Sequence, residues 1–127
     1  MREMTTSSIN TTIVKDCLIV TLGDDLSSGA IDDTRRVVLD NVHKEACLSV
    51  VFELSALKFM DTEEFEALKS ISEMAAMLGA QAIFSGLNPG IIFHLILSDA
   101  QTNGISATLD LNEALKLLGI AKDVERN

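Results

Sequence analysis

The sequence predicts an α/β domain built on a mixed sheet of four to five strands, with mostly parallel inner strands and helices packed chiefly on one face. Three observations carry that prediction. The run Leu48 to Phe52 is almost wholly apolar, as a strand covered on both faces must be. From Phe65 onward apolar residues recur at helical spacing, at Leu68, Ile71, Ala75 and Leu78. Strand-like and helical stretches then alternate along the chain, the pattern of βα units feeding a parallel sheet.

Taken in order, Ile9 to Leu22 reads as a hairpin: a strand Ile9 to Val14, a turn at Lys15-Asp16, and a second strand Cys17 to Leu22 rich in β-branched residues. Gly23-Asp24-Asp25 ends it. A helix fits Ser28 to Lys44, because Ile31, Thr34, Val38 and Val42 line one side while Asp32, Asp33, Arg35, Arg36, Asp40 and Lys44 carry charge on the other. Ser27 or Ser28 can cap it. After the apolar strand the spacing predicts a helix over about 63 to 78, then a strand Ala80 to Ser85. The next helix runs from about Pro89 to Leu97, with proline at a helix start, where its missing N–H costs nothing. Asn103-Gly104 marks a turn, Ile105 to Thr108 a short last strand, and Asp110 with Glu113 a capping box. The helix that follows should bury Leu111, Ala114, Leu115 and Leu118, and Gly119 should stop it.

At 127 residues the chain has the size of one domain. We expect residues 1–8 to be a flexible N-terminus, 9–120 the folded domain and 121–127 a flexible C-terminus. An apolar content of 47% argues against disorder, and ten basic against nineteen acidic residues, net −9, argue against a nucleic-acid or anionic-membrane surface and for a basic partner. Met1-Arg2-Glu3-Met4 is no charged-then-apolar leader, and the apolar run Ile91 to Leu97, interrupted by His94, falls far short of the roughly 20 residues of a spanning helix. A cytoplasmic protein without membrane insertion is expected. The segment Ile91-Ile92-Phe93 is more apolar than one helix face can bury, so an oligomer formed near that helix is expected as well.

The chemistry that composition allows is narrow. Cys17 and Cys47 have no second Cys or His at metal-ligand spacing and read as small buried groups, not as a disulfide framework or zinc site. No Gly-x-Ser-x-Gly elbow, phosphate-binding glycine loop or zincin motif occurs. Gly86-Leu87-Asn88-Pro89-Gly90 precedes a helix and could hold an anion, but Pro89 removes one donor and no Lys follows. The expectation is a protein that is no enzyme and has no catalytic residue, cofactor or metal. His94, between Phe93 and Leu95, reads as a packed or interface side chain, and His43 as a cation near a helix end.

One stretch stands out, Phe52 to Phe65, where a strand passes through a short loop into a helix with an acid and a hydroxyl at the junction. Asp61 followed three positions later by Glu64 fits a capping box, each carboxylate accepting a backbone N–H that the first turn leaves unpaired. The acids Asp61, Glu63, Glu64 and Glu66 also complement the helix dipole, which accounts for them without a metal. Thr62 then lies on the first turn with its hydroxyl near the surface. Either it shares the capping with Asp61, or it is the chemical handle of the protein.

The whole stretch resembles the signature of STAS domains, the anti-sigma-factor antagonist family, whose central strand ends in an acid-Leu-Ser followed by a short apolar loop and an Asp-Ser or Asp-Thr opening a helix. Glu53-Leu54-Ser55 and Phe59-Met60-Asp61-Thr62 stand at those places. The likeness runs on for about two thirds of the chain, and Gly86-Leu87-Asn88-Pro89 matches a Gly-x-x-Pro turn of the RsbS/RsbR-type stressosome scaffold proteins. The resemblance implies a STAS fold and a regulatory role in a partner-switching pathway of signal transduction and stress response. Its partners would be a serine/threonine kinase of histidine-kinase-like ATPase fold and STAS paralogues. Thr62 falls on the residue phosphorylated in that family, and Asp61, Thr62, Glu63, Asn88 and Pro89 form the implied partner interface. Two departures stand beside it: Glu63-Glu64 replace the small residue and glycine of many antagonists, and His94 replaces a second acceptor threonine. The alternatives are a non-phosphorylated STAS subunit of a transport system, or a switch silenced by Glu63-Glu64.

Overall fold

The computed structural model describes residues 9–120 apart from Asp25, Asp99, Gln101 and Asn103. The expectations for residues 1–8 and 121–127, and the Asn103 half of the predicted turn, lie outside the described residues. The elements follow as β1 (Asn10–Val14), β2 (Cys17–Thr21), α1 (Ser28–Lys44), β3 (Ser49–Glu53), α2 (Thr62–Met77), β4 (Gln81–Ser85), α3 (Pro89–Leu97), β5 (Ala107–Thr108) and α4 (Leu111–Leu117). They form a five-stranded sheet in the order β1-β2-β3-β4-β5, antiparallel between β1 and β2 and parallel elsewhere. The predicted mixed sheet is therefore present.

Strand alternation divides the sheet into two unequal cores. Leu18, Val20, Val50, Phe52 and Phe84 point to one face, where Val38 and Val42 of α1, Leu68 and Ile71 of α2, and Ile91 and Leu95 of α3 meet them. Phe84 anchors that side, edge-on to Phe52 at 5.3 Å and to Phe65 at 6.2 Å between ring centres. On the other face Cys17, Ile19, Val51 and Ile83 pack on Ala114 of α4. Three helices against one is what "chiefly on one face" amounts to, and coverage on both sides is why β2 and β3 have so few polar positions.

Some details depart from the sequence expectations. Leu48, predicted inside the central strand, is 62% exposed and precedes it, its N–H bonded to the Asp16 carbonyl at 2.8 Å. Leu78 is the exposed cap residue of α2, outside the buried stripe. In α1, Ala30 joins Thr34, Val38 and Val42 in the core while Ile31 is only half-buried. The last strand shrinks to Ala107–Thr108. The second capping box is half made: Asp110 accepts the Glu113 N–H at 2.9 Å, but the Glu113 carboxylate reaches the Leu109 N–H instead of that of Asp110. Gly119 ends α4 as expected, with φ +76 and an Ile120 N–H to Leu115 carbonyl bond of 2.9 Å beyond it.

Candidate functional site

The site begins where β3 ends. Leu54, Leu57 and Met60 turn inward and are buried, so the loop from Glu53 to Asp61 is pinned every third residue while Ser55, Ala56, Lys58 and Phe59 face out. Backbone bonds fix it further, from the Leu54 N–H to the Ser85 carbonyl at 2.8 Å and from the Leu57 N–H to the Leu54 carbonyl at 3.0 Å. Glu53 accepts the Ser55 hydroxyl at 2.7 Å. Gly86 passes so close that a Cβ there would lie 2.9 Å from both Glu53 Oε2 and the Ser55 nitrogen, and its φ of +83 is one that side chains rarely adopt. The acid-Leu-Ser and Gly-Leu-Asn-Pro segments are thus in contact across adjacent strand ends.

At the start of α2 the capping box is complete. The Glu64 N–H donates to Asp61 Oδ1 at 2.8 Å and the Asp61 N–H to Glu64 Oε1 at 3.0 Å. Thr62 is the first residue of the helix, half-buried, and among the described residues no hydrogen bond engages its hydroxyl. The capping work is done without it. Glu63 is exposed, and Asp61, Glu63 and Glu64 line a shallow cleft of about 450 Å³ with Leu26, Ser28 and Ile31 at the start of α1. Among the described residues no group of three or more His, Cys, Asp or Glu is placed to hold a metal.

Asn88 and Pro89 stand at the carboxyl end of β4, beside that of β3. Asn88 caps α3 by accepting the Ile91 N–H at 2.9 Å, and its amide donates to the Leu57 carbonyl at 3.4 Å. It therefore reaches the loop at Leu57 and not at Thr62, and its polar atoms are already engaged. Sequence reasoning missed a further link, in which Phe59 lies against the His94 ring of α3 at 5.0 Å. An exposed phenylalanine in a short loop was the signal available. Burial pushes the Cys17 and Cys47 thiols above their ordinary pKa, and neither is near this corner in the sheet: Cys17 begins β2 and Cys47 precedes β3.

Residues 8–116 match the family model described as the STAS domain. The chain belongs to the STAS domain family. A serine-to-glutamate variant of RsbS from Moorella thermoacetica superposes with a TM-score of 0.73 at 24% identity, over 91% of this chain and 100% of its own. A chain of the stressosome, a signal integration and transduction hub, gives 0.72 at 23% identity over 88% and 100%. The anti-sigma factor antagonist SpoIIAA in its unphosphorylated form gives 0.69 at 13% identity over 90% and 99%. No match was found among curated proteins. This STAS domain thus has the fold of regulatory relatives, and among its described residues no helix is long and apolar enough to cross a membrane.

Proposed function

We propose that this STAS domain, residues 9–120, is a cytoplasmic, non-enzymatic regulator of a partner-switching pathway that binds a serine/threonine kinase of histidine-kinase-like ATPase fold and is switched by phosphorylation at Thr62. Asp61, Thr62, Glu63, Asn88 and Pro89 mark the kinase-facing corner, and STAS paralogues are the other partners. The observation that carries this reading is the Thr62 hydroxyl itself, at the first turn of α2 and outside a cap that Asp61 and Glu64 complete. Support comes from the relatives, since SpoIIAA of Bacillus exists in a phosphorylated form on the same fold.

The energetics favour release over unfolding. A phosphate adds about −1.5 to −2 charge, which a helix N-terminus stabilises by about 0.3–1 kcal/mol. Nearby carboxylates oppose it by on the order of 1 kcal/mol each in a solvated setting, so the terms roughly cancel in the free domain. Closed against a partner without a basic pocket, the same dianion costs several kcal/mol in lost hydration. Glu63 and Glu64 favour a second reading, a corner already acidic enough that no kinase modifies it. Incubation with the cognate kinase and ATP, followed by mass spectrometry, separates the two. The switch requires phosphate on Thr62 and none in Thr62→Ala; an unmodified Thr62 beside an active kinase means the silenced form.

A further inference from the structure

Phe59 is the one large apolar side chain of the loop between β3 and α2 that stays outside the core. Leu54, Leu57 and Met60 are buried, whereas Phe59 is 53% exposed. At about 200 Å² for a whole aromatic side chain, that leaves on the order of 100 Å² of apolar surface to cover. The ring is nevertheless held. It lies 5.0 Å from the His94 ring of α3, tilted at 54° to it. The backbone on either side is fixed by the buried Met60 and by the Asn88 amide, which donates to the Leu57 carbonyl at 3.4 Å. An exposed aromatic already held in place loses little freedom when a partner closes on it, which is the property of an interface anchor.

We propose that Phe59 is the apolar anchor of the kinase interface, entering an uncharged socket on the kinase beside the site that receives the Thr62 hydroxyl. This rests on the kinase reading of the Thr62 corner and adds to it the chemistry of the partner surface. Reach makes the kinase the occupant. Three residues of chain separate Phe59 from Thr62, at most about 11 Å. An interface of standard size covers roughly 800 Å² per partner, a disc of about 16 Å radius, so one centred on Thr62 spans that distance. Availability selects the residue. Asp61 and Glu64 already bind each other's backbone N–H, and Asn88 is engaged with Ile91 and Leu57. A partner's hydrogen bonds to those groups would compete with bonds already made, whereas a phenyl ring can be covered without leaving a polar group unpaired. The anchor also sharpens the switch. An apolar socket this close to Thr62 excludes water there, and a phosphate held in a dry interface is penalised far more than one in solvent.

Titration calorimetry of the full chain with the cognate kinase and a non-hydrolysable ATP analogue tests this on the parent, Phe59→Ala, Thr62→Asp and the double variant. Phe59→Ala should bind at least about tenfold more weakly with an unchanged urea midpoint. Thr62→Asp should cost a smaller factor in the Phe59→Ala background than in the parent chain, because the interface around residue 62 is then wet. Phe59→Asp should bind at least as weakly as Phe59→Ala, since a basic surface would favour the added acid and only an apolar socket rejects it. Parent-like binding by Phe59→Ala or Phe59→Asp, with Thr62→Asp still weakened, overturns the anchor and leaves the switch standing. Equal factors for Thr62→Asp in both backgrounds overturn the drying role. Weak binding by both Phe59 variants beside a Thr62→Asp that binds like the parent supports the anchor and contradicts the switch.

Discussion

Thr62 is placed by its neighbours. Asp61 and Glu64 close the capping box around it, so among the described residues the cap is made without its side chain. Asp61→Ala should therefore cost about 0.5–2 kcal/mol in urea unfolding, whereas Thr62→Ala should stay within about 0.5 kcal/mol. Gly86 is the tightest single position, with Glu53 and Ser55 at 2.9 Å from any added Cβ. Gly86→Ala should destabilise by more than about 1 kcal/mol, read in the same assay, because the change adds both a clash and a strained φ. The thiols are a third residue-scale case. Burial raises both pKa values, so their contribution to stability is complete below the ordinary thiol pKa of 9.0 and is lost as pH rises past it. Between about pH 7 and about pH 10 the urea midpoint should fall less in a Cys17→Ala, Cys47→Ala variant than in the parent chain. The box was legible because Asp61 and Glu64 stand at a fixed spacing on one strand-helix junction. The closeness of Gly86 to Glu53 was not, since it depends on two strand ends meeting across more than thirty residues of sequence.

At the scale of elements, legibility followed burial. α2 was readable in phase because Phe65, Leu68, Ile71 and Ala75 all face the sheet, and each is buried. Leu68→Ala should cost on the order of 2–5 kcal/mol; a loss below about 0.5 kcal/mol would mean that the helix does not pack through that side chain. β3 was readable as a doubly covered strand, but its start was not: Leu48 is apolar by composition and held at the surface by its bond to Asp16. β5 resisted for the opposite reason. Two residues paired with Phe84 and Ser85 are too few to leave an alternation in the sequence. In α4 the spacing of Asp110 and Glu113 matched a full box, yet the Glu113 carboxylate turned to Leu109. Spacing limits which bonds can form and does not choose among nearby N–H groups.

For the molecule as a whole, the hairpin followed by βα units made the mixed, mostly parallel sheet legible, and the observed order follows because sequential parallel strands with helical crossovers become neighbours. That order brings the carboxyl ends of β3 and β4 side by side, and with them the loops holding Thr62 and Asn88. Sequence alone could name those residues but not their engagement: Asn88 is occupied in capping α3 and holding Leu57, while among the described residues no hydrogen bond engages the Thr62 hydroxyl. The proposed role draws on the whole surface, acidic around Thr62 and apolar along α3. The most direct test is the affinity of the cognate kinase for the unmodified domain, Thr62→Ala and Thr62→Asp, measured by titration calorimetry. A switch at Thr62 requires unchanged binding by Thr62→Ala and binding weakened at least about tenfold by Thr62→Asp at near-normal stability. Binding of Thr62→Asp as tight as that of the unmodified protein would contradict it.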